Sequence, residues 1–232
     1  MNKPATLYSN YSLNDNNNIF KVDPNELSID SKEPHLKLKE SFKRLGYDLA
    51  TKDINKVEDS LFTIFYDMPR AINEISIPKN SYLILWECEV IAPENWIMKN
   101  HLKFKKIFTW DSSLVDNVKY FNFRYPNKLD FSNKPYKEKK LISMLAGNKY
   151  SNHPLELYSL RKKCIKWFET NNIDDFEFYG IGWDKLITSN RYLNFIIKKW
   201  NLSKILSPKY KNYKGSVTNK KDALENYKFC FC

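Results

Sequence analysis

Glycine is scarce in this chain, with 5 in 232 residues, and that scarcity argues against a long β-repeat protein. Histidine is scarcer still: His35, His101 and His153 lie far apart and form no metal-ligand spacing. The cysteines Cys88, Cys164, Cys230 and Cys232 offer one C-x-C pair and no second pair, a weak zinc signal. On a strand, Cys230 and Cys232 point the same way. The opening MNKPATLYSNYSL lacks the apolar core of a secretory signal. Without export the cysteines read as reduced thiols, and the sequons Asn10-Tyr-Ser12 and Asn201-Leu-Ser203 carry little weight. No stretch approaches the roughly 20 apolar residues of a membrane span; Tyr82–Trp86 is far too short. The expected location is the cytoplasm or the periphery of a membrane. No G-x-G-x-x-G, Walker loop or internal repeat is present.

What the chain does hold is apolar and aromatic material. Hydrophobic residues make up 42% and aromatics 16%, enough to bury cores and to exclude disordered and low-complexity classes. The length suits one large domain or two small ones. Charge is unevenly placed. Residues 1–133 carry 18 basic and 18 acidic side chains, whereas residues 134–232 carry 20 and 9, so the whole net charge of +11 lies in the second part. Such an excess is either a solvated lysine-rich face or a surface for a phosphate-bearing partner: a nucleotide, a nucleic acid or an anionic membrane.

The pattern along the chain alternates strand and helix. Ala5–Tyr11, Tyr47–Thr51, Ser60–Tyr66, Tyr82–Glu87, Lys106–Trp110 and Val118–Arg124 read as strands. Pro34–Leu45 reads as a helix stopped by Gly46, Pro93–Asn100 as helix-like, and Asp111–Val115 as an N-capped turn. The charged, proline-bearing stretch Asn127–Lys140 is the linker candidate, giving domains 1–133 and 134–232. Beyond it, Leu141–Ala146, Phe176–Tyr179 and Tyr227–Cys232 read as strands. Pro154–Thr170 reads as a helix with Leu157, Leu160, Cys164, Ile165, Trp167 and Phe168 on roughly one face. Tyr192–Trp200 is amphipathic, and Lys220–Glu225 is a short helix. The expectation is α/β architecture with parallel sheets in two blocks, whose ligands bind beyond the strands' carboxyl ends. The loops to inspect follow Trp86, Ala146 and Tyr179. The chain ends inside an apolar strand, so either the second fold is small or the chain is incomplete.

Three segments carry candidate chemistry. Glu87 and Glu89 follow a buried-looking strand; by alternation they share one face in an extended chain, and a partly buried carboxylate there suits a general base. Equally, the pair fits a solvated loop. Ala146-Gly147-Asn148-Lys149 leads into the helix bearing Arg161. Glycine permits close backbone approach, and a helix start with an Arg can hold phosphate oxygens. The plain alternative is a strand–helix turn, with Arg161 solvated beside Lys162 and Lys163. Tyr210–Lys228 interleaves lysines with aromatics around Gly215. Without an aromatic RNA-binding motif it reads as exposed surface rather than a nucleic-acid interface.

In order along the chain, these pieces resemble the α-1,3/4-fucosyltransferases of glycosyltransferase family ten. ECEVIAP followed by FKKIFTWDSSL is similar to the family's Glu-Ser-Pro segment and its F-x-x-x-hydrophobic-T/S-[WY] run. KKLISMLAGNKYSNHPLELYSLRKKCIKWF resembles its strand ending in Ser-Asn and the Arg-bearing helix that follows. FEFYGIGW resembles its D-x-[YF]-G strand, and NYKGSVTNKKDALENYKFCFC its Y-x-G…K…L-x-x-Y-[KR]-F segment. The family continues into F-E-N-[ST] and Y-[VI]-T-E-K, where this sequence stops at Cys232.

The resemblance implies a GT-B-like fold of two Rossmann-like domains, the first facing the acceptor and the second, incomplete here, holding GDP-fucose. It implies an inverting fucosyltransferase acting on a hydroxyl of an acceptor glycan, α-1,3 or α-1,4, inactive as this stretch alone. Glu89 best matches the family's base, with Glu87 the alternative because the loop before Pro93 is longer here. Asn148 matches the Asn of Ser-Asn, Gly147 replacing the Ser. Arg161 matches the Arg that contacts the diphosphate, and Tyr213 a tyrosine near the nucleotide. No metal is required. The competing reading is a basic nucleic-acid-binding α/β protein.

Overall fold

The computed structural model describes residues 2–21, 29–124, 134–171, 173–188, 190–200, 202 and 206–231. It divides into two compact units, Met1–Leu129 and Asp130–Cys232. Both this division and the domain boundary expected at residue 133 fall in 125–133, outside the described residues.

Unit 1 is built on a six-stranded, all-parallel sheet. Its strands are β1 (Lys3–Ser9), β2 (Tyr47–Thr51), β3 (Thr63–Tyr66), β4 (Ser81–Leu85), β5 (Lys106–Thr109) and β6 (Tyr120–Asn122), in the order β2-β1-β3-β4-β5-β6. β3 is buried along its whole length, which is why TIFY shows no polar alternation. Helix α1 (Ile29–Arg44) makes the β1–β2 crossover and covers one face, where Leu38 and Phe42 pack on Ala5, Leu7, Leu49 and Ile64. Gly46 follows at φ +84°, a conformation that ends a helix with no Cβ penalty. The helix begins earlier than expected and carries Pro34 inside; the Glu33–Lys37 ion pair (2.7 Å) spans that point.

The opposite face buries Phe65, Met68, Leu83, Leu85, Phe104 and Ile107. Its covering segments are loops and short 3-10 turns. Pro93–Asn100 is not an α-helix but parts of two such turns, Pro93–Trp96 and Met98–Lys103. The reason lies in Asn95, whose side chain bonds backbone groups of neighbouring strand ends, an alternative to helix that Asn readily takes.

Unit 2 holds a three-stranded parallel sheet in the order β8-β7-β9, from β7 (Lys140–Leu145), β8 (Phe176–Tyr179) and β9 (Tyr227–Phe231). Helices α2 (Tyr158–Asn171), α3 (Arg191–Lys199) and α4 (Lys220–Leu224) complete it, α4 capped by the Asn219 side chain on Lys221 N (2.9 Å). α2 corrects the expected apolar face. Leu157, Leu160 and Trp167 are exposed, while Ile165 is fully buried on Met144, Phe176, Phe178 and Trp183 with Phe168 packed alongside. The stripe turned to the core is therefore Arg161–Ile165–Phe168, at i, i+4, i+7, not the Leu157–Leu160–Cys164–Trp167 stripe next to it. Composition could not separate the two, because each is mostly apolar.

Among the described residues no helix is long and apolar enough to cross a membrane. Cys88 and Cys164 are free thiols, the Cys230 thiol meets the Phe231 carbonyl (3.9 Å), and Cys232 lies outside the described residues.

Candidate functional site

In unit 1 the chain runs from β1 out to β2, then back across to β3. The carboxyl ends of β1 and β3 thus flank the switch point where open α/β sheets bind ligands. Asn10, just past β1, ties the two loops together: its Nδ2 donates to Met68 O (2.9 Å) and its Oδ1 accepts from Arg70 N (3.2 Å). The Arg70 guanidinium lies over the Tyr11 ring, 5.7 Å from its centroid. Burial and the nearby carboxylates of Glu87 and Asp67 raise the Tyr11 phenol, against the opposing charge of Arg70. Tyr11, Arg70, Asp67 and Glu87 therefore share one neighbourhood.

The two expected carboxylates behave differently. β4 ends at Leu85, so Glu87 and Glu89 do not share a face of an extended strand. The backbone turns immediately, with Ile91 N and Ala92 N both donating to Cys88 O (3.0 and 2.9 Å). Glu89 is exposed on that turn, and Glu87 is half-buried before it. Trp86 and Trp110 occupy adjacent positions beyond the paired ends Leu85 and Thr109, and Trp110 meets Trp96 edge-on at 5.4 Å.

Beneath Glu87 lies a polar network that sequence reasoning missed. Asp67 is 1% exposed and sits at φ +66°. Its Oδ1 accepts from Trp86 N (2.8 Å), Glu87 N (2.9 Å) and Asn95 Nδ2 (2.6 Å). Asn95 also donates to Glu87 O (3.0 Å) and accepts from Met68 N (2.6 Å). His101 completes the chain. Its Nε2 faces Asn95 O (2.7 Å), a carbonyl that can only accept, so Nε2 carries the proton and Nδ1 accepts from Tyr120 Oη (3.0 Å). Burial lowers the His101 pKa, keeping the ring neutral, and burial raises that of Asp67 against its three hydrogen bonds. A signal for Asp67 was available: it directly follows the buried strand SLFTIFY, just as Glu87 follows YLILW.

In unit 2 three loops close on one another at the carboxyl end of the sheet. Gly180 N donates to Gly215 O (2.9 Å), Asn148 N to Ile181 O (2.9 Å) and Trp183 Nε1 to Ala146 O (2.6 Å). Asn148, matched to the family's Asn, is buried. Its Nδ2 clasps Gly182 O (2.9 Å) and Lys185 O (3.2 Å), leaving Oδ1 buried with no hydrogen-bond partner among the described residues. Gly147 is not in the left-handed region, and a Cβ there would meet Ile181 O at 3.6 Å, an ordinary contact. Tyr213 Oη donates to Gly180 O (2.7 Å), and its ring stacks on Phe178 at 5.3 Å. Its first role is to hold this loop.

Arg161 lies on the core-facing stripe of α2, one turn in from its start, with Nε buried and unpartnered among the described residues. Its guanidinium carbon is 5.5 Å from the Tyr158 ring centroid. A buried N–H donor without a hydrogen-bond partner is costly unless a ligand's acceptor meets it. No cluster of His, Cys, Asp or Glu suited to a metal ion occurs among the described residues.

Glu177 on β8 gathers two lysines among the described residues of unit 2. Lys140 (2.8 Å), Lys214 (3.1 Å) and the Tyr227 hydroxyl all meet it. Burial would raise its carboxyl, but these donors outweigh burial and hold it at about 2. A depressed carboxyl stabilises the fold above its ordinary pKa and loses that effect as pH falls toward the folded value. Unit 2 is therefore expected to weaken between about pH 4.5 and 2, and Glu177→Gln to remove that part of the acid sensitivity while costing about 2 kcal/mol at neutral pH. Urea melts at pH 7 and pH 3 check both.

No protein-family model matches the chain, and no curated protein does. Among solved structures the chain is similar to a point mutant of S. aureus TarM in complex with fondaparinux, α-GlcNAc-glycerol and UDP. The identity is 15% and the TM-score 0.42, over 72% of this chain and 36% of that one. The chain thus spans about a third of that protein's length (36%), and so loose a likeness assigns neither a fold family nor an activity.

Proposed function

We propose that this chain is glycosyltransferase machinery of the inverting kind, with GDP-fucose as donor and a glycan hydroxyl as acceptor, in a GT-B-like pairing of Rossmann-like domains. Unit 2 takes the donor and unit 1 the acceptor. The observation that carries the reading is the buried Nε of Arg161 on the core side of α2, without a hydrogen-bond partner among the described residues, at the position the family resemblance gives to a diphosphate-contacting Arg. Asn148 Oδ1 is another buried atom of the same unit without a hydrogen-bond partner among the described residues.

The chemistry is a single displacement. A carboxylate on the loop after β4 takes the acceptor hydroxyl proton, and the oxygen attacks the anomeric carbon from the face opposite GDP. The bond from that carbon to the β-phosphate oxygen breaks, and GDP departs with its electron pair. Arg161 stabilises the charge that gathers on the diphosphate.

Calorimetry with GDP tests this. A chain extended through the family's F-E-N-[ST] and Y-[VI]-T-E-K motifs is expected to bind GDP, and Arg161→Ala in it to weaken binding by more than tenfold. Equal affinity in both proteins, or no binding in either, overturns the assignment. The nucleic-acid alternative rests on net charge alone. Oligonucleotide binding that survives moderate salt and is not displaced by GDP would reverse the choice.

A further inference from the structure

We propose that Asp67 is a positioning residue that clamps the backbone of Trp86 and Glu87 and thereby sets the Glu87 carboxylate, rather than that of Glu89, as the base; the inference rests on the transferase reading above. Three observations carry it. First, residues 86 and 87 lie past the end of β4 and its paired register, and there both their N–H groups converge on Asp67 Oδ1 (2.8 and 2.9 Å). Second, Asn95 binds the same oxygen and the Glu87 carbonyl, so Glu87 is held at both its N–H and its C=O. Glu89 sits on an exposed turn outside this clamp. Third, the arrangement is expensive for a residue with only a packing role. Asp67 is held at φ +66°, and its Oδ2 is buried with no hydrogen-bond partner among the described residues. Strained backbone and orphaned polar atoms of this kind concentrate where geometry matters to function.

Two substitutions isolate the clamp, because Gly and Asn both accept left-handed φ. Asp67→Gly removes the acceptor; Asp67→Asn keeps it. In the wild-type protein the Trp86 and Glu87 amides are expected to exchange with solvent as slowly as those of β4. Asp67→Gly should speed both by about 100-fold, and Asp67→Asn by much less. In a transfer assay on a chain extended through the family's F-E-N-[ST] and Y-[VI]-T-E-K motifs, Asp67→Gly should lower kcat by about 100-fold with the KM for GDP-fucose within about twofold, and Asp67→Asn should restore most of kcat.

Exchange of the two wild-type amides at free-loop rates overturns the proposal, and this measurement stands even where Asp67→Gly fails to fold. Unchanged kcat in a folded Asp67→Gly protein overturns it as well. If exchange behaves as expected but a chain extended through the family's F-E-N-[ST] and Y-[VI]-T-E-K motifs transfers no sugar, the clamp is supported and the transferase reading alone falls.

Discussion

Glu87→Gln, in a chain extended through the family's F-E-N-[ST] and Y-[VI]-T-E-K motifs, is expected to cut sugar transfer by roughly 10²–10⁴-fold, the range over which a positioned general base contributes. Gln has the shape of Glu and keeps an acceptor oxygen, but it cannot take the hydroxyl proton. GDP affinity should stay within about twofold, because the residues proposed to hold GDP all belong to unit 2. Glu89→Gln should cost less than about tenfold, since its exposed turn lies outside the Asp67–Asn95 clamp. Steady-state transfer and GDP calorimetry on the two variants decide between them. If Glu89→Gln shows the larger fall in kcat, the base is the residue that the family match favours and the Asp67 clamp serves some other end.

Gly180→Ala is the substitution expected to damage the fold most. Gly180 sits at φ +142°, where an L side chain is strained, and a Cβ there would overlap the backbone carbonyl of Ala146. That carbonyl has no room to retreat. Ala146 N is bound to Tyr179 O (3.0 Å), and Ala146 O accepts from Trp183 Nε1 (2.6 Å) in the core. Strain at such a φ costs about 1–3 kcal/mol, and displacing the strand end adds to it, so a loss of about 3 kcal/mol or more is expected. Gly147→Ala, one residue beyond Ala146, should cost about 0.5 kcal/mol or less, because the nearest atom to its Cβ is Ile181 O at 3.6 Å. Denaturant melts of both variants check this. A Gly180→Ala protein within about 1 kcal/mol of wild type would mean that the β7 and β8 ends are not as close as described.

The parallel α/β architecture was legible in the sequence because buried parallel strands announce themselves as apolar runs. TIFY, YLIL and FEFY all stand where expected, and Gly46 and Asn219 end and begin helices by ordinary rules. Strand ends were less legible: the continuous apolar run carried YLILWE through Glu87, whereas Asp67 takes the N–H groups of Trp86 and Glu87 and the strand stops at Leu85. That capture is a long-range event, and no local pattern encodes it. The orientation of α2 was illegible for another reason. Two neighbouring stripes were each apolar enough to be core, and only packing against Phe176 and Phe178 selects the one with Arg161. Of the candidate site, Glu87, Asn148 and Arg161 were visible as residue types after strands or on a helix. Asp67 offered the same signal, following TIFY, but Asn95 and His101 offered none, because their partners lie on different crossovers.

Both sheets open with the same move: the first strand of each unit ends up inside, flanked by the two that follow it. This orders events during synthesis. β1 finds its neighbours by Tyr66, early in the chain. β7 is different, because its second edge is satisfied only by β9, with Lys140 aligned to Tyr227. Nearly the whole of unit 2 must leave the ribosome before that edge closes, and pairings between such distant segments form slowly. The first unit can therefore finish folding while the second still waits with an open strand. Chaperone demand during translation should concentrate on the stretch between β8 and β9.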